Sequence, residues 1–212
     1  MNRPTLIIFA RAPAIGVGKT RLARDVGRVE AWRAYRALSG PLVRRLARDP
    51  RFETIVRIAP DRARWPGVAS EGQGGGGLGE RLSRALRAHG RAAVAVIGTD
   101  APEVTPERVW RALRATRAGL PVLGPAEDGG FWLLALGPGQ ARRVSFPGVR
   151  WSSAETLADT IAALGGRAVL LEPLADVDDG EALRAWRGRR GRRAVQAGVD
   201  DASPARHRVQ GG

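Results

Sequence analysis

The apolar positions of the chain fall into short runs separated by glycine- and proline-rich turns. Residues 5–10 (TLIIFA) form a β-rich apolar run that ends in a Pro/Gly-rich loop, residues 11–18, with a helical stretch from Lys19. Residues 29–49 have helical spacing, with a break expected at Gly40-Pro41. Alternation over residues 53–59 (ETIVRIA) predicts a strand, and residues 61–77, with four successive glycines at 74–77, predict a loop. Residues 78–89 predict an amphipathic helix with Leu78, Leu82, Ala85 and Leu86 on one face.

The run AAVAVIG at 92–98 is apolar without alternation, the pattern of a strand covered on both faces, and it stops at Thr99-Asp100. Thr105 and Pro106 then supply an N-cap and a first helical residue. Strands are expected at 120–124 and 131–136 around a turn at 126–130. A helix opening on Ser152-Ser153-Ala154-Glu155 follows at 152–164, then a strand at 167–172 and a helix at 180–186. Strands alternating with helices around one buried central run predict an α/β fold built from βαβ units. From about Gly188 the apolar period is lost. The expected organisation is therefore one domain over residues 1–187 and an unstructured Arg/Gly-rich tail over 188–212.

Composition narrows the chemistry. The 212 residues are 43% hydrophobic and 26% charged, as in an ordinary globular domain. No run approaches the roughly 18 apolar residues of a membrane span. The apolar start without a basic leader predicts a cytoplasmic protein. There is no cysteine, and the only histidines are His89 and His207, so any metal has to be held by carboxylates. That donor set points to Mg²⁺ or Mn²⁺. The net charge of +14 is unevenly spread: the last 29 residues hold eight Arg against two Asp, and the first 183 carry the other +8. No basic stripe with interleaved aromatics accompanies it, which argues against nucleic acid as the partner.

Four segments sit where α/β enzymes keep their sites, past the ends of strands. RAPAIGVGKTR at 11–21 joins glycines, a helix start and Lys19, the sole lysine, a combination suited to a di- or triphosphate. A plain turn with a solvated lysine is the alternative. Gly18-Lys19-Thr20 also ends like a P-loop, but Pro13 stands where the leading glycine belongs. Asp100, just past the buried run, can hold Mg²⁺ on phosphates or cap the next turn. Glu127-Asp128-Gly129-Gly130 places two carboxylates on a glycine turn. In Asp176-Val177-Asp178-Asp179, residues 176 and 178 share a side if extended; helix capping is the competing use.

In order, LIIFARAPAIGVGKTRLA, Gln73 with LGERL, GTDAPEVTP, GPAEDGGFWLLAL, WSS with Thr160, and LADVDD resemble the successive motifs of the DUF2064 proteins, over roughly residues 4–186. These are similar to the nucleotide-diphospho-sugar transferase (GT-A) superfamily. The resemblance implies a single Rossmann-like α/β domain, its mixed, mainly parallel sheet flanked by helices. It implies a nucleotide held by Ala10, Arg11, Ala12, Gly16, Lys19, Arg21, Gln73 and Thr99. It implies a divalent metal on Asp100 and Asp178 with Asp176 beside them. Glu127, Asp128, Gly129, Gly130 and Trp151 would face an acceptor, and Lys19, Asp100 and Asp128 would be the catalytic set. Gly77 stands where an Asp is expected before LGER, which removes a polar group from the base-binding region. The implied activity is metal-dependent glycosyl transfer from a nucleotide-sugar to a small-molecule acceptor. Nucleotidyl transfer from an NTP to a phosphorylated small molecule is the alternative, ahead of a P-loop NTPase or a non-catalytic nucleotide-binding domain.

Overall fold

The structure is a computed structural model that describes residues 3–201. Seven strands form one mixed sheet: β1 (Thr5–Arg11), β2 (Glu53–Ala59), β3 (Ser70–Gly72), β4 (Val94–Ile97), β5 (Val122–Pro125), β6 (Phe131–Leu136) and β7 (Val169–Leu170). Their spatial order is β3-β2-β1-β4-β6-β5-β7. Every neighbouring pair is parallel except those that involve β6, which runs against both β4 and β5. The chain builds β2 and β3 to one side of β1 and then crosses to lay β4 on the other. That reversal opens a crevice beyond the carboxyl ends of β1 and β4, the place where open α/β sheets bind ligands.

Helices cover both faces: α1 (Thr20–Val26), α2 (Arg28–Ala47), α3 (Leu78–His89), α4 (Pro106–Ala115), α5 (Pro138–Ala141), α6 (Thr156–Ala163) and α7 (Gly180–Asp201). Alternation along β1 sends Leu6, Ile8 and Ala10 to one face, where Leu42, Val43 and Leu46 of α2 and Val109, Ala112 and Leu113 of α4 meet them. Ile7 goes to the other, against Leu82, Ala85 and Leu86 of α3. All four residues of β4 are buried, as its continuous apolar run requires. A third cluster, Leu22, Leu38, Val177, Leu183 and Trp186, fastens α1, α2 and α7 together.

Three expectations are corrected. The helix α2 runs through Gly40-Pro41 without a break. Pro41 lacks the N–H for one intrahelical bond, but Leu38, Leu42, Val43 and Leu46 on either side are fully packed and hold the helix straight through. Helix α6 begins at Thr156 rather than Ser152, because Ser152 takes a left-handed conformation (φ 60°). The Ser153 hydroxyl there closes a turn by donating to the Arg150 carbonyl (2.9 Å). Helix α7 continues past Arg187 to Asp201, inside the stretch read as an unstructured tail. Its first turns are anchored by Leu183 and Trp186, and Arg-rich sequence sustains a helix without an apolar stripe once it is nucleated. The rest of that tail, residues 202–212, lies outside the described residues. The short β3 and α5 carried no periodicity long enough to predict.

Candidate functional site

The crevice between β1 and β4 is built from three stretches of chain distant in sequence. The loop after β1 turns on Gly16 (φ 81°) and Gly18 (φ 76°), and the Arg11 side chain lies under Gly18. Lys19 follows, also left-handed (φ 51°), at the N-cap of α1. An ordinary L-residue pays for that conformation. Here it aims the side chain back at the strand ends instead of out to solvent.

The second stretch is the end of β4, where Thr99 is buried and Asp100 follows. The third arrives from the far edge of the sheet. Beyond β7 the chain stays extended along β5, with the Leu171 N–H on the Leu123 carbonyl (2.8 Å) and the Leu174 N–H on the Pro125 carbonyl (3.1 Å). It then crosses the carboxyl edge until the Val177 N–H donates to the Asp100 carbonyl (2.9 Å). Asp178 is thereby delivered beside Asp100.

These three stretches meet on one ammonium. Lys19 Nζ lies 2.7 Å from Asp100 Oδ1 and 2.6 Å from Asp178 Oδ1, and donates to the Val177 carbonyl at 2.5 Å. The lysine side chain is 8% exposed, against 43% and 42% for the two carboxylates, so the cation is covered while the anions keep an open side. Burial alone would lower the Lys19 pKa, but the charges of Asp100 and Asp178 hold it above its ordinary value. Asp128 and Asp176 stand close enough to be felt. Burial, then the charges of Asp128, Asp100 and Asp178, push Asp176 up to about 7, partly offset by Lys19. Asp100 and Asp178 thus share one fixed cation, with Asp128 and Asp176 near enough to act on the same cluster, so carboxylates outnumber the cation there.

Two partners of this site give no sequence signal of their own. Tyr35 of α2, buried, accepts from the Arg11 N–H (3.0 Å) and donates to the Arg11 carbonyl (2.9 Å), and its oxygen also receives the Thr99 hydroxyl (3.4 Å). It ties the end of β1 to the end of β4. Asp25 accepts from the Gly180 N–H (2.9 Å), and Asp179 accepts from the Ala182 N–H (2.8 Å). The DVDD run therefore divides its labour, with residues 176 and 178 turned to the cluster and residue 179 capping α7.

Among the other expected nucleotide-side residues, Ala10 and Ala12 flank Arg11 at the end of β1, and Arg21 is exposed on the first turn of α1. Gln73 is brought to the same place, but its amide is committed inside the protein. It donates to the Ala10 carbonyl (2.9 Å) and the Arg57 carbonyl (3.0 Å) and accepts from Arg81 (2.8 Å). Gln73 thus shapes the floor of the crevice. On the expected acceptor side, Glu127 is exposed, and Asp128 Oδ1 accepts from the Gly130 N–H (2.9 Å). The Gly129 carbonyl accepts from the Leu157 N–H (2.9 Å), so this turn is docked on the segment that follows Trp151. Trp151 itself stands edge-on to Phe131 and Phe146 at the mouth of a cleft of 700 Å³ beside α3. It packs on the opposite face of the sheet from α2, with Leu82 and Leu86 of α3.

Among the described residues no three His, Asp or Glu side chains form a ready-made metal cage. Magnesium does not require one: it is usually held by one or two carboxylates, completed by water and substrate phosphate oxygens. Asp100 and Asp178 converge on a single cation through hard oxygen donors, and that donor chemistry fits Mg²⁺ or Mn²⁺.

The sequence model of the family described as "Uncharacterized protein conserved in bacteria (DUF2064)" matches residues 34–153. No curated protein sequence is significantly similar to the chain. Among solved structures, the fold is similar to a protein of Desulfovibrio desulfuricans G20 provisionally assigned as a nucleotide-diphospho-sugar transferase. That likeness has a TM-score of 0.75, 26% identity and 84% of each chain covered. CMP:2-keto-3-deoxy-manno-octonic acid synthetase complexed with CTP superposes with a TM-score of 0.58 at 12% identity, over 91% of this chain and all of that one. The 4-diphosphocytidyl-2C-methyl-D-erythritol synthase of Anaerococcus prevotii DSM 20548 does so at 0.53 and 10%, over 85% and 94%. Among the described residues no helix is long and apolar enough to cross a membrane.

Proposed function

The chain belongs to the DUF2064 family, and from that membership and its crevice we propose that it is a divalent-metal-dependent glycosyltransferase that moves a sugar from a nucleoside-diphospho-sugar to a small-molecule acceptor. The observation that carries this reading is the convergence of Asp100 and Asp178 on one cation position beside a glycine loop at the switch point of the sheet.

In such a transfer the acceptor oxygen bonds to the anomeric carbon as the bond from that carbon to the β-phosphate oxygen breaks, and the nucleoside diphosphate leaves with the electron pair. A cation bound on Asp100 and Asp178 would neutralise the charge gathering on the leaving diphosphate. The chain supplies the rest. Backbone N–H groups of the loop through Gly16 and Gly18 and the start of α1 receive phosphate oxygens. Lys19 adds a compact positive charge at the same place. Asp128, exposed on its glycine turn, is the carboxylate open to an acceptor and takes the proton released from the acceptor hydroxyl. No cysteine or histidine is needed as a nucleophile.

Lysine after a glycine loop also suits a triphosphate, which makes nucleotidyl transfer with release of pyrophosphate the second reading. Both are tested on the purified chain with Mg²⁺ or Mn²⁺, against a panel of nucleotide-sugars and a panel of NTPs with sugar phosphates. Release of nucleoside diphosphate from a nucleotide-sugar, abolished in Asp100→Asn, is the expected result. Pyrophosphate release from an NTP instead would overturn glycosyl transfer in favour of the second reading. Thermal shifts by neither ligand class would overturn both.

A further inference from the structure

The position where a phosphate-bound cation would meet Asp100 and Asp178 is held by Lys19. The ammonium nitrogen touches Oδ1 of both carboxylates, within 0.1 Å of equal distance, and donates its third hydrogen bond to the Val177 carbonyl. All three N–H donors of an ammonium are thereby used. The lysine is buried, and its left-handed backbone turns it inward. We infer that Lys19 is a built-in occupant of the cation site. It holds Asp100 and Asp178 together in the nucleotide-free protein and competes with a divalent cation for the same two oxygens. This rests on the reading of the crevice as a phosphate-and-metal site.

Two consequences follow from charge balance. A divalent cation arriving alone has to expel a buried ammonium that has no other anionic partner among the described residues, so it binds weakly. A cation arriving with a polyphosphate brings a new anion for Lys19, so the ammonium moves from carboxylate to phosphate and the cation takes its place. Metal and phosphate binding are then coupled through one side chain, and the site stays closed to metal ions until a polyphosphate is present.

Lys19→Met removes the charge and keeps the length of the stem. The remaining carboxylates then repel one another and lack a counter-ion, the situation that makes a half-removed ion pair costly. Calorimetry with Mn²⁺ alone is expected to give about tenfold or more tighter binding to Lys19→Met than to wild type. Mn²⁺ should also raise the melting temperature of the variant by several degrees more than that of wild type. Equal or weaker Mn²⁺ binding by the variant overturns the inference. A second measurement needs no variant. Lys19 is the sole lysine, so protein labelled with ¹³Cε/¹⁵Nζ-lysine gives one side-chain signal. That signal should be unmoved by Mg²⁺ alone and should shift when Mg²⁺ and inorganic pyrophosphate are added together. Pyrophosphate that binds with Mg²⁺, seen by calorimetry, and leaves the lysine signal unmoved defeats the competition and leaves the functional reading intact. Pyrophosphate that does not bind at all defeats that reading, and the inference with it.

Discussion

The phenol oxygen of Tyr35 closes on both peptide groups of Arg11, accepting from the N–H at 3.0 Å and donating to the carbonyl at 2.9 Å. Arg11 is the last residue of β1 and the first step into the glycine loop, so a residue of α2 fixes where the loop departs. Burial raises the Tyr35 pKa above its ordinary value, which keeps the hydroxyl protonated and able to donate.

Tyr35→Phe keeps the ring and its packing and strands two polar backbone groups of Arg11. The expected cost is about 1–3 kcal/mol in denaturant unfolding. Loss of loop position should also weaken nucleotide binding by calorimetry. A variant with unchanged midpoint and unchanged affinity would show that the loop is held by other contacts.

Much of this site was legible in the sequence because its residues lie at the ends of strongly patterned strands. The unbroken apolar run into Thr99-Asp100 located the end of β4, and the two-residue spacing of Asp176 and Asp178 gave them a shared side. Tyr35 was not legible, since an aromatic on the buried stripe of a helix reads as core packing and its partner is 24 residues away. Nor was the pairing of Lys19 with Asp178, which depends on the chain after β7 crossing the carboxyl edge of the sheet from β5 to the end of β4. Pro41 and the far end of α7 misled for a common reason. Local breaker and composition signals lose where a helix is anchored by packed neighbours, Leu38 and Leu42 in one case and Leu183 and Trp186 in the other.

Gly129 tests whether the carboxylate turn must dock on the segment after Trp151. Its φ is 86°, and a Cβ there would lie 2.3 Å from the Ala154 carbonyl oxygen. Gly129→Ala should therefore cost about 2 kcal/mol or more, combining backbone strain with a steric clash. Gly148→Ala is the control, with φ 72° and open space around the new methyl, so it carries the strain alone. Equal urea midpoints for the two variants would mean that the docking contact yields without cost.

The end of α7 should matter far less than its beginning. Trp186 is buried against Leu22, Leu38 and Leu183, and Trp186→Ala should cost about 3 kcal/mol or more. Truncation after Arg187 removes the Arg189–Glu103 pair (3.5 Å) and the stacking of Arg190 on Trp186 (5.0 Å), together about 1 kcal/mol. Melting temperatures should fall by only a few degrees for the truncation and far more for the tryptophan variant. The reverse order would place the anchor of the helix beyond Arg187.

Asp176 gives the metal-free protein a pH dependence of definite sign. Burial and the charges of Asp128, Asp100 and Asp178 hold its pKa at about 7, whereas an aspartate in the unfolded chain titrates near 4. Between those values the folded protein keeps a proton that the unfolded chain has lost. Folding therefore takes up a proton, and the stability that depends on it falls as pH rises from about 4 through about 7. Asp176→Asn carries no proton to lose and no charge to repel its three neighbours. In chelator, its urea midpoint should decline less between pH 5 and pH 8 than that of wild type. The two proteins should stand close together at pH 5, and the variant should be the more stable at pH 8. Parallel profiles across that range would mean that Asp176 ionises freely beside the other carboxylates.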